Sequence, residues 1–167
     1  MGEIFTHTFE PIFDKNSEIL VLGSFPSVKS RENNFYYAHP QNRFWRVVAS
    51  VYFCPVPKTV EEKKNMLLSN KIAVWDVIKS CEITGSADST IKSVIPNDLS
   101  EILSVADIKK IYANGKTAQS LYNKYIKKNT GFDIISLPST SPANAAYSLE
   151  KLIKEWKIIY EYNRNCM

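Results

Sequence analysis

Four short runs of apolar, mostly branched residues constrain the fold of this chain more than anything else in it. They lie at residues 18–23, 72–77, 108–113 and 132–137. Their apolar side chains follow one another without alternation, the pattern of strands buried on both faces, as in a parallel sheet. Helical spacing fills the intervals. Phe44, Val47, Val48 and Val51 fall at i, i+3, i+4 and i+7, and Ala118, Leu121, Tyr122 and Tyr125 repeat that spacing. Leu149, Leu152, Ile153, Trp156 and Ile159 or Tyr160 share one face of a last helix, with Ser148 placed to cap it. Shorter helices are expected over 60–69 and, after Pro96, over 98–105. Strands alternating with helices predict an α/β fold, a three-layer α/β/α domain around a central four-stranded, mainly parallel sheet. The 167 residues suit a single domain over 1–167, and they contain no repeat, low-complexity segment or long linker.

Composition narrows the class. Hydrophobic residues make up 44% and charged residues 23%, which excludes a disordered or collagen-like chain. The longest uncharged apolar-rich run, 19–27, is far shorter than the ~20 residues a membrane span needs. No basic segment leads into an apolar run at the N-terminus, so a signal peptide is not expected and a cytoplasmic location is. Cys54, Cys81 and Cys166 form no CxxC pair and read as free thiols in a reducing compartment. With only His7 and His39 to join them, neither a zinc nor an iron–sulfur centre is expected.

The net charge of +4 is a weak pointer to a polyanion, and its distribution says more. Residues 111–167 carry 8 basic and 4 acidic side chains, so the whole excess lies there. Arg31, Arg43 and Arg46 cluster with Phe35, Tyr36, Tyr37, Phe44 and Trp45. Interleaved arginines and aromatics suit phosphate contact and base stacking, although packing alone also produces such clusters.

In a parallel sheet covered by helices, functional loops lie beyond the carboxyl ends of the strands. That selects 24–43, 76–89 and 138–147. The first begins Gly23-Ser24-Phe25-Pro26-Ser27, a tight turn whose N–H groups and hydroxyls can hold a phosphate or a polar base edge. Further on, Tyr36-Tyr37-Ala38-His39-Pro40-Gln41-Asn42-Arg43-Phe44-Trp45 enters a helix with a polar cluster at its mouth. There Asn42 or His39 is either a helix cap or a functional group, since an Asn amide can position a water or pair with a base edge. The third, Pro138-Ser139-Thr140-Ser141-Pro142-Ala143-Asn144, is a small-residue loop that a phosphodiester can approach closely, or a plain turn. Gly115-Lys116-Thr117 mimics the end of a P-loop, but the earlier glycine of that motif is replaced by Lys110.

Together these three segments, in this order, resemble the uracil-DNA glycosylase superfamily over about 19–160. The block Ala38-His39-Pro40-Gln41-Asn42-Arg43-Phe44-Trp45 is similar to the mismatch-specific branch. Two positions depart from that branch. Phe25 stands where its first motif carries a catalytic Asn, and Ser139 stands where its second begins with His or Asn. The Gly-Ser-Phe-Pro-Ser turn, the Tyr-Tyr-Ala-His-Pro-Gln-Asn block, Trp75-Asp76-Val77 and the Ser-Thr-Ser-Pro-Ala-Asn loop instead resemble the hypoxanthine-DNA glycosylase family.

That resemblance implies an enzyme that flips a deaminated base out of double-stranded DNA and hydrolyses its N-glycosidic bond, with little action on uracil. It implies Asn42 as a catalytic residue, with His39 beside it to donate to the base carbonyl. Tyr37 becomes the stacking floor of a base pocket completed by Phe25 and Ser24. Ser24, Ser27, Ser139 and Ser141 would grip flanking phosphates, with Arg43 and Asn144 also at the DNA. No lysine matches a catalytic position, so strand cutting is not expected. Neither a cofactor nor a metal is required, and a monomer is expected. The alternatives are a uracil or xanthine glycosylase of the same fold, or an inactive nucleic-acid-binding relative.

Overall fold

The computed structural model describes residues 2–84 and 90–165. The four continuous runs form one parallel sheet. Its strands are β2 (Ile19–Gly23), β3 (Ile72–Asp76), β6 (Lys110–Asn114) and β7 (Ile134–Leu137), in the order β3-β2-β6-β7. Successive side chains of a strand point to opposite faces, and both faces are buried here. Ile19, Val21, Ile72, Val74 and Tyr112 enter one core, and Leu20, Leu22, Ala73 and Ile111 the other.

The first core is closed by α2 (Phe44–Val51), α3 (Val60–Ser69) and α7 (Leu149–Asn165), through residues such as Phe44, Val48, Leu67, Leu152 and Trp156. The second is closed by α4 (Ser100–Val105) and α5 (Lys116–Tyr125), through Ile102 and Tyr122. Each fully buried Leu or Ile in these layers contributes about 1.5–3 kcal/mol. The Ser148 cap of α7 is present, with the hydroxyl accepting from Lys151 N–H at 3.1 Å. Helix α3 starts with a reciprocal capping box between Thr59 and Glu62.

Three features differ from the sequence expectation. Only part of 76–89 is available as a loop, because residues 78–83 form β4 (Ile78–Ile83), one residue after β3 ends; residues 85–89 lie outside the described part, as does Cys166. β4 pairs antiparallel with β1 (Glu3–Thr6) and β5 (Lys92–Pro96) in a second, three-stranded sheet. Its edge strands are largely exposed, so they lack the continuous apolar signal of the parallel strands. The stretch 24–43 also contains a short helix, α1 (Val28–Asn33), capped by Ser27, while α6 (Lys127–Thr130) follows α5. Among the described residues no helix is long and apolar enough to cross a membrane, and no group of three or more His, Cys, Asp or Glu is placed to hold a metal.

The connection from β2 to β3 carries α1, α2 and α3, whereas that from β3 to β6 carries the small sheet and α4. They cover opposite faces, so the chain leaves β2 and its neighbour to different sides. A crevice at the carboxyl ends is the geometric consequence.

Candidate active site

A cleft of about 710 Å³ occupies that crevice. Every parallel strand supplies a piece of its wall. β2 leads into Gly23, Ser24 and Phe25, β3 ends at Asp76, β6 ends at Asn114, and the turn after β7 brings Ser139, Thr140 and Ser141. Tyr37, His39 and Asn42 reach it from the segment between α1 and α2.

Asn42 is held by both of its neighbours. Its Oδ1 accepts from Phe44 N–H at 2.9 Å and from the Thr140 hydroxyl at 2.8 Å. Thr140 is wholly buried. Its N–H donates to Asn114 Oδ1 at 3.0 Å, and its hydroxyl accepts from Asn114 Nδ2 at 3.0 Å. A polar chain therefore runs from the end of β6, through the β7 loop, to the mouth of α2. A carboxamide oxygen has two lone pairs, and both are engaged here. Asn42 thus closes an i to i+2 turn at the mouth of α2, and its Nδ2 is the group left for a ligand.

His39 Nδ1 accepts from Gln41 N–H at 3.1 Å, which in the neutral ring puts the proton on Nε2. Tyr37 stacks on Phe44 with centroids 4.1 Å apart and planes 21° from parallel. Its backbone is left-handed, φ 50°, a conformation costing a bulky residue on the order of 1–3 kcal/mol. Burial, and then the charge of Asp76, push its phenol well above the ordinary tyrosine range, while the Asn114 amide pulls it partly back. The phenol therefore stays protonated.

Two glycines make the close approaches possible. A Cβ on Gly23 would lie 2.4 Å from Asp76 Oδ1 and 3.1 Å from the Tyr37 hydroxyl. Gly115 has φ +99° and packs where a Cβ would meet Ser139 at 3.1 Å. Phe25 lines the cleft with the Arg31 guanidinium 5.5 Å above its ring.

The expected DNA contacts separate into two groups. Ser24, Ser27, Ser139 and Ser141 all line the cleft. Ser27 caps α1, Ser139 Oγ accepts from Ser141 N–H, and Ser141 Oγ accepts from Ala143 N–H, so each hydroxyl also shapes its own turn. Arg43 and Asn144 are outside the cleft lining. Arg43 donates to the carbonyls of Ser141, Asn144 and Tyr147, and Asn144 Nδ2 donates to the Ser139 carbonyl at 3.0 Å. Both side chains hold the loop after β7 in shape.

Sequence reasoning gave no role to Asp76, His7, Asn114 or Thr140. A polar residue ending an apolar strand run was the available signal for Asp76 and Asn114. His7 had none, since its partner Asp76 is 69 positions away.

A parallel sheet between helices with a polar cleft at its strand ends defines an α/β/α protein built to take a ligand across those ends. More closely, the chain belongs to the uracil DNA glycosylase superfamily, whose family model matches residues 10–161. It is 34% identical over 156 residues to a protein of Methanosarcina acetivorans named hypoxanthine DNA glycosylase, covering 92% of this chain and 97% of that one. A protein of the same name from Methanosarcina barkeri is 34% identical over 138 residues, 81% of this chain and 86% of its own. A solution NMR structure from Methanosarcina acetivorans, described as a candidate uracil DNA glycosylase, superposes with a TM-score of 0.82 at 32% identity, covering 97% of this chain and 99% of that one.

Proposed function

We propose that this chain is a monofunctional DNA glycosylase that flips hypoxanthine out of double-stranded DNA and hydrolyses its bond to the sugar. The names of the two curated relatives support the base. The observation that carries the chemistry is the double engagement of the Asn42 oxygen, which leaves a fixed N–H donor at the cleft.

Breaking the C1′–N9 bond sends its electron pair to the departing purine and leaves an oxocarbenium-like sugar, to which water adds. A donor aimed at the purine stabilises the charge it gains. Asn42 Nδ2 supplies that donor, and its occupied oxygen takes no part in orienting water. His39 Nε2 is a second donor, suited to a base carbonyl. Tyr37 forms the floor on which the flipped base stacks. Phe25 takes an activating side chain out of the first turn, which disfavours uracil. Ser24, Ser27, Ser139 and Ser141 face the flanking phosphates at the cleft mouth, and Arg43 and Asn144 act through the loop they hold.

The test is single-turnover base release from duplexes carrying one deoxyinosine or one deoxyuridine, read as strand cutting with and without alkali. Alkali-dependent cutting at inosine is expected. Cutting without alkali would contradict the monofunctional reading, and release of uracil in preference to hypoxanthine would contradict the assigned base.

A further inference from the structure

The reaction outlined above gives no task to Arg31, whose surroundings are unusual for a cation. It stands in the last turn of α1, and its backbone N–H donates to the Ser27 carbonyl at 2.9 Å, which ties it closely to the first loop. The guanidinium carbon lies 4.3 Å from the centroid of the Phe5 ring and 5.5 Å from that of Phe25. Nη1 is buried and has no hydrogen-bond partner. Among the described residues no carboxylate pairs with this side chain, whereas the nearby Lys29 has Glu32 at 3.4 Å.

Buried donors are nearly always satisfied, and one left open in a native fold needs an explanation. Aromatic faces attract a cation, but they accept nothing in the plane of the guanidinium, where its N–H groups point. The two rings therefore hold the fork and leave its edge free. Arg31 lines the cleft together with Ser24, Ser27 and Lys29. A phosphate suits the free edge best. Paired in-plane N–H groups match two of its oxygens, and opposite charges attract strongly in a site shielded from water. A base edge offers a single carbonyl and no charge. Because Nη1 is shut off from solvent, a duplex lying across the mouth does not reach it. A backbone drawn inward with a flipped nucleotide does, with a change of rotamer of the kind common at interfaces.

We propose that Arg31 holds a phosphate next to the flipped nucleotide, and that Phe5 is the positioning residue that keeps its fork in the cleft wall. The assignment rests on the glycosylase reading above. It gives the N-terminal strand a part in the site, since Phe5 belongs to β1 and precedes residues 10–161, the part matched by the family model. A contact made only in the flipped state favours flipping and adds nothing to duplex binding as such.

The test replaces single phosphates around the lesion by neutral methylphosphonates, in a duplex whose 2′-fluoro deoxyinosine resists hydrolysis. Kd is measured for each, with undamaged duplex as the reference. The wild-type protein should lose about 10- to 100-fold at one phosphate flanking the lesion, the range one hydrogen bond to a charged group supplies. Arg31→Ala should no longer respond to that methylphosphonate, and it should bind undamaged duplex within about twofold of wild type. Arg31→Lys keeps the charge without the fork, should recover only part of the response, and carries the same test if Arg31→Ala fails to fold. Phe5→Leu keeps apolar bulk but no ring face, so it should blunt the same response at an unchanged melting temperature, and Phe5→Tyr should restore it. Arg31 variants that respond to every methylphosphonate as the wild type does would overturn the proposal. So would an equal loss on lesion and undamaged duplexes, the mark of a merely structural role. A loss that vanishes when unsubstituted purine replaces hypoxanthine would overturn it too, since that marks a contact to the base carbonyl. A wild-type protein that releases no hypoxanthine from ordinary deoxyinosine DNA would instead defeat the reading of the function, a result visible before any variant is made.

Discussion

Asn42 is held through its amide oxygen, and in the proposed reaction its amide N–H meets the base, so substitutions can separate the two. Asn42→Asp keeps an acceptor for Phe44 N–H and the Thr140 hydroxyl but removes the N–H donor. Base release should fall about 100-fold or more, as when one electrostatic donor is removed from an active site, with DNA binding largely kept. Calorimetry should find the melting temperature within about 3 °C of wild type, because an Asp oxygen still accepts from both donors. Asn42→Ala loses that acceptor too, and should melt about 2–4 °C lower, the shift that about 1 kcal/mol produces at this size. Near-wild-type single-turnover release by Asn42→Asp would remove the donor role. A second test concerns Gly23. An added methyl would sit 2.4 Å from the Asp76 carboxylate, so Gly23→Ala should destabilise by about 1–3 kcal/mol, read by urea unfolding, and weaken base binding. At this scale the placement of Asn42, His39, Tyr37 and Phe25 around one cleft was legible, because one dense local block and one strand-end turn carry them. Thr140 and His7 were not, because their roles exist only through partners 98 and 69 positions away.

Among the elements, the loop after β7 shows how a residue expected at the DNA can shape the site from behind. The Arg43 fork ties the carbonyls of Ser141, Asn144 and Tyr147 to the start of α2. A planar guanidinium can span three acceptors, and an ammonium on a flexible stem cannot hold them in the same geometry. Arg43→Lys should therefore speed hydrogen exchange over 139–147 and lower the melting temperature by about 2–4 °C, the change that about 1 kcal/mol gives. Exchange unchanged in that loop would mean that the fork is dispensable. The parallel strands were legible for a related reason of burial. β2, with every residue buried, gives an unbroken apolar run that no helix or exposed strand of that length produces. β4 mixes buried and open positions, and β1 and β5 are mostly open, so they offered no such run. Helix α1 has one buried residue in six, too little for an amphipathic pattern to declare itself.

Over the whole molecule, strand order converts a mild charge imbalance into a directed one. The sequence placed the basic excess in residues 111–167 without saying where that segment faces. Because β6 lies beside β2, the turn into α5 brings Lys116 to the cleft, opposite Lys29 and Arg31 from the β2 side. Lys127 is drawn off by Asp133 at 3.0 Å and Lys29 by Glu32 at 3.4 Å, so the excess is not uniformly available. The other two cations around the opening should neutralise about two phosphates, giving a slope of about −1.8 for log affinity against log salt. Lys116→Ala should reduce the magnitude of that slope by about one and weaken deoxyinosine and undamaged duplexes alike, since a phosphate contact carries no base information. With enzyme in saturating excess, release from deoxyinosine should proceed at the wild-type rate if Lys116 meets the phosphates and not the departing base. Titration of both duplexes at several salt concentrations checks the slope. A Lys116→Ala protein with the wild-type slope would show that DNA does not cross the β6 side of the cleft, and the orientation of the duplex over the strand ends would have to be reversed.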